Sequence, residues 1–308
     1  MKSKKPFQWN KKRSRQLFIV LMLAWPVLHF IFTWSLNFNM ILMAFKDYTI
    51  DSSGIFVGWE NFKGVFRLYE TENNLFHEWH AVKNTLTLVP LILLINVPLS
   101  MIFSYLLYTK VPGYKVWQVL LYIPCITSAI VLVLVFRSFV TGGPLNTILN
   151  QIGKGDWIPN EGWLGDKFAW PMLLIFSVWT GFSTNMVYFL SAMRRIPADF
   201  VEAAKIDGAT EYQVFFQIVV PLSAPTVCTL INLNLAGIIG WATPAFLMMD
   251  SMAGISYTGT IGLSLMNWAN SRQFGTAAAY GMLVTVIAAP ILLTVRRWTE
   301  KLTDRIEG

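Results

Sequence analysis

Apolar and polar positions along this chain separate into long charge-free runs divided by short charged segments. The runs without an ionised residue cover 16–45, 84–109, 116–136, 168–193, 212–249 and 273–295. Each reaches the roughly 20 residues a helix needs to cross the hydrocarbon core of a bilayer. The pattern therefore predicts an all-α, polytopic membrane protein with six transmembrane helices. The fifth run is too long for one simple span. Its first part reads as the end of a preceding loop helix, and its last part leaves the membrane near Pro244.

Between the fourth and fifth runs lies a charged island, 194–221, with the local signals of two short helices. Pro197 suits a first-turn position, since its missing N–H and fixed φ match a helix start. Asp207-Gly208 predicts a stop, because glycine accepts the left-handed conformation that ends helices. Thr210 with Gln213 three residues on forms a capping-box pattern for a second helix. Ala203 and Ala204 leave the first helix a small-residue surface open to close approach. Pro221 marks the return to an apolar run.

Composition agrees with the pattern: 55% of residues are hydrophobic and 13% charged, too few charges to cover a soluble domain of this length. The net charge of +7 fits basic ends held against anionic headgroups, and no nucleic-acid partner is expected. Residues 1–15 form a basic tail. The apolar stretch that follows is too long for a signal peptide and lacks an A-x-A site, so it is expected to stay as the first span. Cys125 and Cys228 both fall in apolar runs and read as small hydrophobes. If the N-terminus is cytoplasmic, sixteen of the 24 lysines and arginines lie inside and eight outside. The positive-inside rule then places both termini, the tail 299–308 and the 194–221 loop in the cytoplasm.

Three outer segments, 46–83, 137–167 and 250–272, interrupt the membrane domain 16–298. The first is rich in aromatics and acids, among them Trp59, Asn61, Glu70, Glu72, Glu78 and Trp79. The second has a turn at Gly142-Gly143-Pro144-Leu145-Asn146 followed by a short helix, and the third is rich in Gly and Ser. Such segments are candidates for docking an external partner.

The chemistry is chiefly one of absences. No ionised side chain sits mid-span, where a coupling carboxylate of an ion-driven carrier would stand. His77 and His80 form a His-x-x-His pair without further ligands, too little for a zinc site. No GxxxxGK[ST] loop is present, and no nucleophile–base set can be assembled. A path for a neutral polar solute is instead expected in spans four and five. Asn185 and Tyr188 share one helical face, with Trp179 and Gly181 on the turns before, and Asn234 and Trp241 share a face of the fifth span. Asn232 points elsewhere. Amides and aromatic rings suit hydroxyls and C–H faces; the same residues could also join helices by hydrogen bonds.

The stretch Glu202-Ala203-Ala204, Asp207-Gly208-Ala209, Phe215, Ile218 and Val220-Pro221 resembles the EAA loop of the permease subunits of ABC importers. The form is that of the maltose-type sugar permeases, with Val220 where leucine is usual. Ala44-Phe45-Lys46-Asp47-Tyr48, Gly58-Trp59-Glu60-Asn61-Phe62 and Phe274-Gly275-Thr276-Ala277-Ala278-Ala279 fit the same family, so the likeness covers nearly the whole chain. The resemblance implies a non-catalytic bacterial plasma-membrane subunit forming half of a carbohydrate path. Its implied partners are a second homologous permease, two ATPase subunits and an extracytoplasmic solute-binding protein. It implies that Glu202, Ala203, Ala204, Asp207, Gly208 and Ala209 meet an ATPase, and that Gly181, Asn185, Tyr188, Asn234 and Trp241 meet cargo. No cofactor is expected on this chain, ATP and magnesium belonging to the ATPase partners. The rival readings are a secondary carrier, which would leave the loop unexplained, and a membrane enzyme, which would need a polar catalytic cluster.

Overall fold

The computed structural model describes residues 11–48, 54–70, 78–248 and 258–307. Lys2, Lys4 and Lys5 of the basic tail, Glu72, His77 and residues 250–257 of the third outer segment lie outside the described residues. The described chain is almost wholly helical. Among the described residues, five helices are long and apolar enough to cross a membrane: α1 (Ser14–Ala44), α3 (Glu78–Tyr108), a segment Ala129–Gln151, one across Lys167–Met193, and one across Phe274–Asp304. A pair bent by 65°, α9 (Glu211–Leu222) and α10 (Ala224–Ile239), makes a sixth if counted as one broken span. The outward-turned side chains of these helices are apolar: Trp25 is 73% exposed and Leu94 74%. At about 25 cal/mol per Å² such faces are costly in water and natural in lipid.

Three runs depart from their sequence reading. The run 116–136 is not one helix but α4 (Tyr114–Ile126) and α5 (Ala129–Thr141), divided at Thr127, whose backbone is extended. Pro124 lies in the last turn of α4, and its ring crowds the carbonyl one turn back, so the helix ends soon after it. In the segment 250–272, expected as a loop, residues Ile261–Asn270 form α12, started by Thr260, whose hydroxyl accepts the Leu263 N–H. In the fifth run the bend falls at Ser223. Pro221, expected at the boundary, lies inside α9 near its end. The remaining helices are α2 (Glu60–Glu70), α6 (Pro144–Gln151, directly after the predicted glycine turn), α7 (Asp166–Met193), α8 (Ala198–Ile206), α11 (Thr243–Met248) and α13 (Phe274–Glu307).

Two compact units divide the chain: Met1–Val65 with Arg272–Met282, and Phe66–Ser271 with Leu283–Gly308. In the first, strands β1 (Lys46–Asp47) and β2 (Ile55–Phe56) pair antiparallel after α1. Asn61 Nδ2 donates to the carbonyls of Ala44 and Lys46 at 3.0 and 2.9 Å, satisfying acceptors left free at the end of α1. Phe45, Trp59 and Phe62 pack edge-on and tilted around that junction with ring centroids 4.9–5.3 Å apart. Gly275 meets the same spot so closely that a Cβ there would lie 2.5 Å from the Lys46 carbonyl oxygen. The three scattered motifs around residues 44–46, 61 and 275 thus form one joint.

In the second unit, α3 lies along α7. Ser100 Oγ reaches the Phe182 carbonyl at 3.1 Å and Ser104 Oγ the Met186 carbonyl at 3.0 Å, both serines being fully buried. Small polar residues let membrane helices approach closely and hydrogen-bond across the contact. One apolar core joins α5, α7, α11 and α12 through Val133, Leu173, Ala245 and Leu263. Another joins α3, α7, α9 and α10 through Met101, Phe189, Val219 and Leu230.

Candidate functional site

Between α3, α7 and α10 lies a cavity of about 450 Å³, within the roughly 300–1,000 Å³ usual for small-molecule sites. Gly181, Asn185, Tyr188, Asn234 and Trp241, expected from the sequence to meet cargo, all line it, whereas Trp179 packs against the apolar core around Leu173 and Phe176. Its polar lining is completed by Asn96, Ser177, Thr180 and Thr184, and none of its lining residues carries a charged side chain. Tyr188 is half exposed and Asn185 is 2% exposed. Trp241 is steadied edge-on by Trp170, ring centroids 6.5 Å apart. Asn232, expected to point elsewhere, bonds Thr299 Oγ1 at 2.9 Å.

A chain of amides crosses the cavity wall. Asn234 Nδ2 donates to the Leu230 carbonyl at 2.7 Å and to Asn185 Oδ1 at 3.0 Å. A carbonyl only accepts, so Leu230 fixes which way the Asn234 amide points, and Asn234 in turn fixes Asn185. Asn185 Nδ2 is left buried without a partner among the described residues. On the facing helix, Asn96 Nδ2 donates to the Ser177 carbonyl at 3.4 Å, and its Oδ1 is likewise buried and unpartnered. Asn96 ends a π-helical turn, Ile92–Asn96, within α3, a distortion often found at functional sites.

At one end of the second unit, the 194–221 island folds as its residues predict, with one shift. Pro197 is the residue before α8, φ −58° and ψ 133°, and the helix begins at Ala198. The stop is a Schellman motif: Gly208 N donates to the Lys205 carbonyl at 3.1 Å and Ala209 N to that of Ala204 at 2.9 Å. Gly208 takes φ +84°, a conformation costly to any residue with a Cβ. Thr210 and Gln213 form the reciprocal capping box, Thr210 N donating to Gln213 Oε1 at 2.8 Å and Gln213 N to Thr210 Oγ1 at 3.3 Å.

The loop's two faces differ. Glu202, Ala203, Asp207 and Gly208 are exposed, beside Phe200 at 56% and Ile206 at 86%. Ala204 and Ala209 turn the other way and pack on the core around Tyr105, Met193 and Phe215. Ala203 alone of the alanine pair is therefore open to close approach.

The sequence reading missed two groups. Asn96, Ser100 and Ser104 recur every fourth residue in the apolar run 84–109, and that spacing was the available signal for a polar helix face. Glu211, the first residue of α9, is held by Lys205 Nζ at 2.6 Å and by the Tyr105 hydroxyl at 2.7 Å. These bonds, Lys205's first and Tyr105's second, hold its carboxyl below the ordinary carboxylate range. Its place at a helix N-terminus favours the same charge. No local pattern announces Tyr105 as a partner, since it lies on another helix.

The fold and site define a multi-pass helical membrane protein with an uncharged polar cavity between its spans. The profile of the binding-protein-dependent transport system inner membrane component family matches residues 96–308, and the chain belongs to that family. Among curated relatives, the arabinooligosaccharides transport system permease protein AraP of Halalkalibacterium halodurans is 28% identical, covering 82% of this chain and 78% of that one. The diacetylchitobiose uptake system permease protein NgcF of Streptomyces coelicolor is 28% identical over 79% of this chain and 71% of its own. A crystal structure of a bacterial ABC transporter involved in the import of the acidic polysaccharide alginate has a chain of the same fold. Its TM-score is 0.77 at 22% identity, with 95% of this chain and 98% of that chain covered.

Proposed function

We propose that the chain is one of two homologous membrane subunits of an ATP-driven ABC importer, and that its cargo is a carbohydrate handed over by an extracytoplasmic binding protein. The observation that carries the cargo reading is the cavity lined by amides, hydroxyls and aromatic rings and by no charged side chain. Hydroxyl-rich neutral solutes match that lining, and ions do not. The names of the relatives, which include permeases for arabinooligosaccharides, diacetylchitobiose, lactose and maltose, support the same class.

Energy enters through α8. Its exposed face, with Phe200, Ala203 and Ile206 flanked by Glu202 and Asp207, is suited to a groove on an ATPase subunit. Its opposite face is packed on the spans through Val201 and Ala204, with Ala209 of the following turn beside them. Movement of the ATPases is transmitted through that contact, and the path alternates its access as they close and reset. In this reading the chain performs no covalent chemistry, ATP and magnesium are held by the ATPase partners, and both termini are cytoplasmic.

Native mass spectrometry on the tagged chain, extracted gently from its host membrane, tests the assembly. A particle with a second permease and two ATPase copies is expected. A lone monomer or homodimer across several mild detergents would overturn the coupling role of α8. Uptake of arabinotriose, diacetylchitobiose, lactose and maltose tests the cargo class.

A further inference from the structure

We propose that Asn96 and Asn185 act together as a hydroxyl-reading pair in the cavity, an inference that rests on the carbohydrate reading above. Buried polar groups are almost always hydrogen-bonded, and each exception calls for a reason. Here two exceptions line one cavity, on facing helices, and they are of opposite kind. Asn96 offers a free acceptor, Oδ1. Asn185 offers a free donor, Nδ2. Both side chains are 2% exposed, so bulk water does not satisfy them.

Neither orientation is arbitrary. The Ser177 carbonyl takes the Asn96 amide nitrogen, leaving its oxygen over. The Leu230 carbonyl, acting through Asn234, takes the Asn185 oxygen, leaving its nitrogen over. A hydroxyl is the group that answers both, since it donates one hydrogen and accepts at its oxygen. A water molecule has the same donor and acceptor capacity.

The backbone also holds Asn96 in position. It ends the π-helical turn of α3, and it lies against Gly181, where an added Cβ would come within 2.6 Å of its Nδ2. The missing side chain at 181 is what lets Asn96 stand in the cavity wall. Asn96 is then a specificity-determining residue: a site that leaves two buried groups unpaired rejects an analogue lacking the hydroxyl.

The test measures uptake by the assembled transporter of arabinotriose, diacetylchitobiose, lactose and maltose, followed by monodeoxy analogues of the sugar taken up. In the wild type, one analogue should show a KM about tenfold higher than its parent. Asn96→Leu should raise the parent's KM about tenfold at similar kcat and leave that analogue unchanged, so the discrimination disappears. Asn185→Leu should do the same, and the double variant should be no worse than either single change. Asn96→Asp, neutral when buried, keeps an acceptor and a donor in place and should retain the discrimination, which guards against simple misassembly. Parent and analogues shifting alike would assign both residues to packing and overturn the pair alone. Uptake of none of the four sugars would instead remove the carbohydrate reading, and the pair with it.

Discussion

The hydroxyl of Tyr105, on α3, donates to the Glu211 carboxylate at 2.7 Å, and the same carboxylate holds Lys205 of α8 at 2.6 Å. One residue at the start of α9 therefore ties the loop helix to a membrane span. The Tyr105 hydroxyl also lies 3.2 Å from the Glu211 backbone carbonyl oxygen, and beside it the Tyr105 ring packs 4.8 Å from that of Phe215. The polar tie sets direction on an otherwise smooth surface.

Tyr105→Phe keeps the ring packing and removes the donor. A neutral hydrogen bond contributes about 0.5–1.5 kcal/mol and one to a charged group about 1.5–3 kcal/mol, a figure that solvent screening lowers at a half-exposed carboxylate. We expect normal membrane insertion, a small loss of thermal stability and several-fold slower transport relative to ATP hydrolysis in the assembled complex. Coupled transport and hydrolysis assays on one preparation check this; an unchanged ratio would show the tie to be dispensable.

The tie should weaken in acid. Glu211 is held below the ordinary carboxylate range by Lys205 and then Tyr105. A carboxyl with a depressed folded-state pKa stabilises above its unfolded value, and that contribution is lost as pH falls through the folded value. Both charged partners are about half exposed, so the contribution is modest. Hydrogen exchange of residues 198–214, corrected for intrinsic rates, should be steady from neutral pH down to the ordinary carboxylate pKa and rise below it. Glu211→Gln should raise exchange at neutral pH and flatten that dependence.

Gly208→Ala isolates a backbone effect, because nothing lies within 4 Å of the added Cβ while φ stays at +84°. The left-handed conformation costs a residue with a side chain roughly 1–2 kcal/mol. Transport should fall while the chain still inserts, and Gly208→Asn, which tolerates that conformation better, should recover part of the loss. Equal activity of the alanine and wild-type chains would mean that the turn does not set the angle of α9.

Gly275→Ala acts by crowding. The new Cβ would meet the Lys46 carbonyl oxygen at 2.5 Å and Asn61 Nδ2 at 2.6 Å, and the first of these is backbone that cannot swing away. Overpacking of this kind costs about 1–3 kcal/mol. The melting temperature in detergent should drop by several degrees, and Asn61→Ala combined with it should not restore stability, since the carbonyl remains.

Much of this protein was legible in the order of its residues. Charge-free runs mark membrane helices because a bilayer tolerates no unpaired charge and demands about the same length each time. The Gly208 stop and the Thr210–Gln213 cap are local, set by neighbours within four residues, and they form as their chemistry dictates. Gly181, Asn185, Tyr188, Asn234 and Trp241 shared faces by helical periodicity, and they line one cavity. What the sequence could not decide depends on which helices meet. The break at Thr127 and the helix at Ile261–Asn270 sit where apolar content alone cannot separate one long helix, two short ones or a loop. Asn96 and Ser100 became meaningful only when α3 was laid along α7, and Tyr105 only when Glu211, more than a hundred residues on, reached its hydroxyl. Local hydrogen bonds and hydropathy are written in short stretches of chain; the pairing of buried polar groups is a property of the packing that brings distant stretches together.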